Sequence, residues 1–325
     1  MAESTKSRPP KPQRGIGGLP ELALIERVSR AKGARNRSVR IGIGDDCSVL
    51  RVTPGEEMVV TTDLFLEGRH FRSDWHSPES AGHRCLARGL SDVAAMGARP
   101  VAAFLSLALP AEYPVRWVDG FLRGFQALAK RFNVQLAGGD TAQAPSRLVL
   151  ADIVLVGAVP RGRALLRSGA RVGDGIYVSG ALGGAAAELR KLEHGAKSPV
   201  RRKNGHPQTF PEPRVALGRT LLRKRLASAC MDLSDGVSSD LAHLCKASQV
   251  GARIDSAALP VSATATLDDA LNGGEDYELL FTSSAKVPAT LAGVALTRIG
   301  SVQAKQTVML DGEGLRAGGW EHFRQ

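Results

Sequence analysis

The chain has 325 residues, 43% of them apolar, which is enough for two domains and a sizeable core, and it has no run of about 18 apolar residues to cross a membrane. Its four cysteines, Cys47, Cys85, Cys230 and Cys245, form no C-x-x-C pair, which argues against a zinc ribbon or a disulfide framework and for a reducing cytoplasm. The net charge of +11 invites nucleic acid, but aromatics make up only 5% and none interleaves with the basic runs, so no base-stacking platform is present and no specific nucleic-acid partner is expected.

Residues 1–18, rich in charge and proline, read as a disordered basic tail and lack the apolar stretch of a secretory signal. Helical spacing covers 21–31. A strand over 39–43 (Val39, Ile41, Ile43) then runs through two glycines into Asp45 and Asp46. After a strand at 57–63, residues 77–97 read as a helix with Ser77 as N-cap, Pro78 at the first position and Gly97 as its stop. A strand at 101–109 precedes a helix at 114–132, where Val118, Phe121, Leu122, Phe125, Ala129 and Phe132 share a face. Strands at 134–138 and 147–159 close a first half. The second half opens with strand, glycine turn and helix over 173–192, followed by a polar, proline-rich surface loop at 195–213. Helices near 214–228 and 236–248 and strands at 252–255, 277–283 and 296–302 follow, and "MLDGEGL" carries an Asp-Gly hairpin signal. The expected fold is α+β or mixed α/β in two domains, 19–159 and 160–325.

Acidic residues recur where apolar elements meet glycine. Asp63 ends "VVTTD", and Asp140 follows "LAGG". Asp92 lies in a helix among Cys85, Gly89, Ala95 and Met96, a small apolar surround in which a lone carboxylate is costly. Asp232 and Asp235 open a helix, and Glu275 and Asp276 precede a strand. Singly, Asp235 reads as a cap and Asp45 as a turn residue. Collected at one sheet edge, such carboxylates repel unless hard cations lie between them; oxygen ligands select Mg²⁺ or Ca²⁺, and Mg²⁺ shares its shell with phosphate. The P-loop and protein-kinase motifs are absent. "GALGGA" could face a phosphate and Arg163, Arg167 and Arg171 could clamp one, while His70 suits packing as well as chemistry.

"GIGDDCSVL", "TTDLFLEGRHF", "LSDVAAMGARP", "AGGDT", "RALLRSGARVGD", "DLSDGVSSDL" and "GGEDYELLF" stand in one order from about residue 20 onward. Together they resemble the thiamine-monophosphate kinase family, related to aminoimidazole-ribonucleotide synthetase and selenophosphate synthetase. The resemblance implies ATP and several Mg²⁺ ions converting thiamine monophosphate to thiamine diphosphate by direct phosphoryl transfer. It implies metal-binding roles for Asp46, Thr61, Thr62, Asp63, Asp92, Asp140, Asp232 and Asp235, with Asp63, Asp92 and Asp235 central to catalysis. Gly139, Asp140, Arg167 and Ser234 would contact ATP. His70 and Glu275 would contact substrate, as would Trp320 from the closing "GGWEHF". The family's fold is an N-terminal α+β domain whose strands pair across a homodimer, then a second α/β domain. Thr61 stands where serine also occurs and keeps the hydroxyl. Selenophosphate synthetase needs a reactive Cys or selenocysteine in an N-terminal glycine-rich segment, and none precedes Cys47; the synthetase's D-G-V-G-T-K is replaced by "TTDLFLEGRHF".

Overall fold

The computed structural model describes residues 21–30, 33–44, 46–200 and 206–320, so the expected tail and Asp45 lie outside the described residues. Helix α1 (Glu21–Arg30) and a short antiparallel ribbon, β1 (Val39–Ile41) with β2 (Val49–Leu50), precede the first sheet. That sheet holds β3 (Glu56–Leu66), β4 (Arg99–Leu109), β5 (Gln135–Gln143) and β6 (Leu150–Pro160) in the order β3-β6-β4-β5. Only the β4–β5 pair is parallel. Strand β5 continues past Asp140 to Gln143 by pairing with Leu107, Ala108 and Leu109, so Asp140 stands within the strand and not at its end.

Helices α2 (Pro78–Ala95) and α3 (Val115–Arg131) cover one face of this sheet. The Ser77 hydroxyl accepts the Ser80 N–H at 3.2 Å, and Gly97, with φ +68°, turns the chain out of the helix, as expected from sequence. Buried residues occur all round α2, the pattern of a helix enclosed by protein. What encloses it on the far side is α5 (Val215–Lys224) of the second half. A Cβ at Gly218 would stand 1.9 Å from the Ala94 carbonyl oxygen, so only glycine permits this approach. Helix α5 stops short of residue 228 because Arg225 takes a left-handed φ of 55°.

The second sheet runs β14-β13-β9-β12-β7-β10-β8, with β11 (Thr290–Leu291) beside β12. Its strands are β7 (Gly175–Ser179), β8 (Ala229–Asp232), β9 (Gly251–Ile254), β10 (Leu279–Ser283), β12 (Val294–Gln303), β13 (Val308–Leu310) and β14 (Glu313–Gly314). Asp311 and Gly312 both have positive φ, 53° and 90°, the conformation that the Asp-Gly hairpin requires. Helices α4 (Gly184–Glu193), α6 (Val237–Ser248) and α7 (Leu267–Asn272) complete this half. One apolar cluster crosses between the halves, joining Leu90 and Leu155 to Leu217, Leu221 and Phe281. A second lies between α6 and the second sheet around Val178, Leu241 and Leu280.

Of the expected 195–213 surface loop, residues 195–200 are exposed or half-buried as expected, 201–205 lie outside the described residues, and 206–213 depart from a surface course. Gln208, Thr209 and Phe210 are buried, because the Glu188 carboxylate accepts from the Gln208 N–H at 2.8 Å and the Thr209 hydroxyl at 2.9 Å, while Phe210 meets His83 edge-on. Polar, proline-rich composition signalled an irregular chain correctly but not its burial. Among the described residues no helix is long and apolar enough to cross a membrane.

Candidate active site

Helix α2 aims one polar stripe away from the first sheet's core. Arg84, Arg88, Ser91 and Asp92 recur at helical spacing and meet β3, β8 and the loops of the second half. The cavity there has a volume of about 450 Å³. Asp63, His70, Asp92, Arg167, Asp232, Ser234, Asp235, Glu275 and Trp320, all singled out from sequence, line it together with Arg69, Arg88, Gln208 and Tyr277, which were not. Thr61 joins by donating its hydroxyl hydrogen to Asp92.

Strand pleating sorts the threonines. Side chains alternate along β3, so Thr61 and Asp63 share the face turned toward α2, while Thr62 points to the opposite face and donates to Asp152 at 2.8 Å. The structure therefore does not bring the Thr62 side chain to Asp63. Asp46, Gly139 and Asp140 are also placed elsewhere. They line a different cavity of about 850 Å³, beside Phe104, residues 42–44 and residues 47–48. Gly139 has φ +149°, and a Cβ there would lie 1.9 Å from the Leu105 carbonyl oxygen, so the parallel neighbour requires glycine.

Electrostatics in the smaller cavity favour a cation. Burial, and then repulsion from Asp232 and Asp63, raises the Asp92 carboxyl well above the usual range; the Thr61 hydrogen bond only partly offsets this. Asp232 is raised by burial too, opposed by the Ser91 hydroxyl at 2.7 Å and by the charge of Arg167. These donors are all oxygens, and among the described residues no three acidic, His or Cys side chains already form an ion cage. Such a set fits Mg²⁺, which takes one or two carboxylates and fills its shell with water and phosphate oxygens.

Backbone carries the second wall. The 233–236 loop is drawn in by Asp240, one oxygen of which accepts the N–H groups of Ser234, Asp235 and Gly236, each at 3.1 Å. Burial pushes the Asp240 carboxyl up to about 8, against the pull of these donors. Facing it, Glu275 and Tyr277 hold left-handed φ values of 66° and 51°, a strain that non-glycine residues sustain where surrounding contacts dictate it. Asp276 turns away from the cavity and accepts the Gly183 and Ala185 N–H groups at the start of α4, at 2.6 and 3.1 Å.

Behind the cavity sits His76, whose Nε2 lies 2.7 Å from Arg84 Nη1 and 3.1 Å from the Gln208 amide oxygen. Burial, then the Arg84 charge, lowers its pKa to about 4, with Glu275 and Gln208 opposing. The unfolded chain therefore protonates first as pH falls below about 6.5. The stability this ring allows is intact above that pH and is lost toward pH 4, by about 3 kcal/mol. His76→Gln should flatten the pH dependence of urea midpoints across that window. An unchanged slope would assign the acid loss to other groups.

The profile described as "AIR synthase related protein, N-terminal domain" matches residues 44–162, and "AIR synthase related protein, C-terminal domain" matches 171–311. Thiamine-monophosphate kinase of Salmonella typhimurium is 39% identical over 302 residues, covering 87% of this chain and 90% of its own. The crystal structure of thiamine-monophosphate kinase from Stenotrophomonas maltophilia superposes with a TM-score of 0.80 at 38% identity, over 91% of this chain and 98% of its own. The structure of AaThiL complexed with AMPPCP and TMP superposes at 0.74 with 29% identity, over 98% of this chain and 100% of its own. The paired domain matches, together with relatives of this identity aligned over most of both chains, show that the chain belongs to the thiamine-monophosphate kinase family.

Proposed function

We propose that the chain transfers the γ-phosphoryl group of ATP directly to the phosphate of thiamine monophosphate, yielding thiamine diphosphate and ADP. The observation that carries this reading is the convergence of Asp63, Asp92, Asp232 and Asp235 with Arg167 and Glu275 on one cavity between the halves. An oxygen of the acceptor phosphate attacks the γ-phosphorus, and the bond to the β–γ bridging oxygen breaks. Both reactants are anionic, so the step needs charge neutralisation and alignment more than a covalent nucleophile. Mg²⁺ held by Asp63, Asp92, Asp232 and Asp235 would neutralise the phosphates. Thr61 and Ser91 orient the carboxylates of Asp92 and Asp232 by hydrogen bonding. Arg167 and Ser234 serve the nucleotide, and His70, Glu275 and Trp320 the thiamine end. A coupled assay with ATP, Mg²⁺ and thiamine monophosphate tests the whole reading, and absence of ADP formation refutes it.

Asp46, Gly139 and Asp140 would serve metal and nucleotide from the larger cavity. The halves 19–159 and 160–325 act as the two structural units, and the enzyme works in the cytoplasm. The chain also forms a homodimer through the first sheet. On the face away from α2, Val60 and Leu64 are 66% and 58% exposed, an apolar surface on edge strand β3 that a second copy would cover. Light scattering at micromolar concentration should give twice the 34.3 kDa chain mass; a single-chain mass refutes the dimer.

A further inference from the structure

We propose that Arg88 grips the phosphate monoester of the acceptor substrate, an inference that rests on the kinase reading above. Helix α2 carries two arginines one turn apart, Arg84 and Arg88, and both reach Glu275. They are engaged very differently. Arg84 is 1% exposed and donates to Glu275 at 2.6 Å, to His76 at 2.7 Å and to Gln208. It is locked, and together with the Gln208 amide, which donates to Glu275 at 2.7 Å, it keeps Glu275 paired without help from Arg88.

Arg88 lines the cavity with its side chain 17% exposed. Its two carboxylate contacts are long, 3.3 Å to Glu275 and 3.4 Å to Asp63, while it donates to the Tyr277 hydroxyl at an ordinary 3.1 Å. Its Nε is buried with no hydrogen-bond partner among the described residues. A guanidinium is always charged and offers a fork of donors that matches phosphate oxygens two at a time. One that is loosely held and has a buried donor to spare loses little by exchanging carboxylate contacts for phosphate.

Position selects the ligand. Arg88 stands between Asp63, on the metal side, and Glu275, on the thiamine side. The acceptor phosphate must occupy the space between those two ends for its oxygen to meet the γ-phosphorus. Arg88 would hold it there. The competing role is that of a fixed counter-charge for Asp63 and Glu275, which would support the fold and any ligand equally.

Calorimetric titration with thiamine monophosphate and with thiamine, in Mg²⁺ without ATP, separates the two. Wild type should prefer the monophosphate by at least about ten-fold, as a charge-assisted phosphate contact of about 1.4 kcal/mol gives. Arg88→Gln should bring that ratio close to one and leave thiamine affinity within about two-fold. Arg88→Lys, a point charge without the fork, should fall between, and it supplies the measurement if the glutamine variant does not fold. In turnover, KM for thiamine monophosphate should rise at least about ten-fold and KM for ATP less than about two-fold. Unchanged discrimination in either folded variant, or equal weakening of both ligands, overturns the assignment. A wild type that makes no ADP refutes the kinase reading itself, whereas active wild type with an indifferent Arg88→Gln refutes only Arg88.

Discussion

Asp92→Asn is expected to lower kcat about 10²–10³-fold while raising the melting temperature of the Mg²⁺-free protein. Asp92 lies half-buried on α2, raised by burial and by the charges of Asp232 and Asp63. A carboxyl raised in this way stabilises the fold only while protonated, so its contribution is lost as pH rises through the folded-state value. Asparagine keeps the shape and removes the charge, so the gain in melting temperature should be larger at pH 8 than at pH 5. Catalysis loses the same charge where a cation has to be held against two phosphates. Function and stability therefore move in opposite directions at one atom. Scanning calorimetry in EDTA and the coupled assay at saturating Mg²⁺ measure the two halves of this result. Turnover near that of wild type would remove Asp92 from the metal set, and a lowered melting temperature would remove the repulsion argument.

Gly218→Ala should destabilise the protein by about 2–3 kcal/mol, although alanine is the better helix former by about 1 kcal/mol. The added Cβ would meet the Ala94 carbonyl oxygen at 1.9 Å, and backbone cannot rotate aside as a side chain does. Helix α5 must then lift from α2, loosening Leu217 and Leu221 in the shared core. Urea denaturation should show a lower midpoint with an unchanged slope. A more stable Gly218→Ala would mean that propensity outweighs the contact.

Much of this arrangement was legible in the sequence for identifiable reasons. Ser77, Pro78 and Gly97 bracket α2, and the Asp311-Gly312 pair marks its hairpin, because capping and left-handed turns are local requirements. Asp63 and Asp92 were conspicuous because charge at the edge of apolar elements needs a partner. Whether Thr61 or Thr62 faces the site depends on the pleat register of β3, which residue identity does not reveal. Both carry the same hydroxyl. That Asp140 and Asp46 line a cavity apart from Asp63 follows from the order β3-β6-β4-β5, which places β5 at the opposite edge from β3. Strand order is a long-range property. Gln208 was missed for a related reason, since its partners Arg84 and Glu188 lie far from it in the chain. Arg88 was within reach, one helical turn before Asp92.

The apolar cluster that crosses the halves limits how this enzyme can respond to its ligands. Leu165 and Ala170, in the connection between the halves, are themselves buried, and the Leu165 N–H is bonded to the Met96 carbonyl at 3.1 Å. A swing of one half on the other would have to peel α5 from α2, which the Gly218 contact opposes. Accommodation then falls to what surrounds the cavity: the 233–236 loop, the strained 275–277 turn and the segment carrying Gln208. Amide exchange should slow in those short stretches when nucleotide and substrate bind, while the helices beneath them keep one rate throughout.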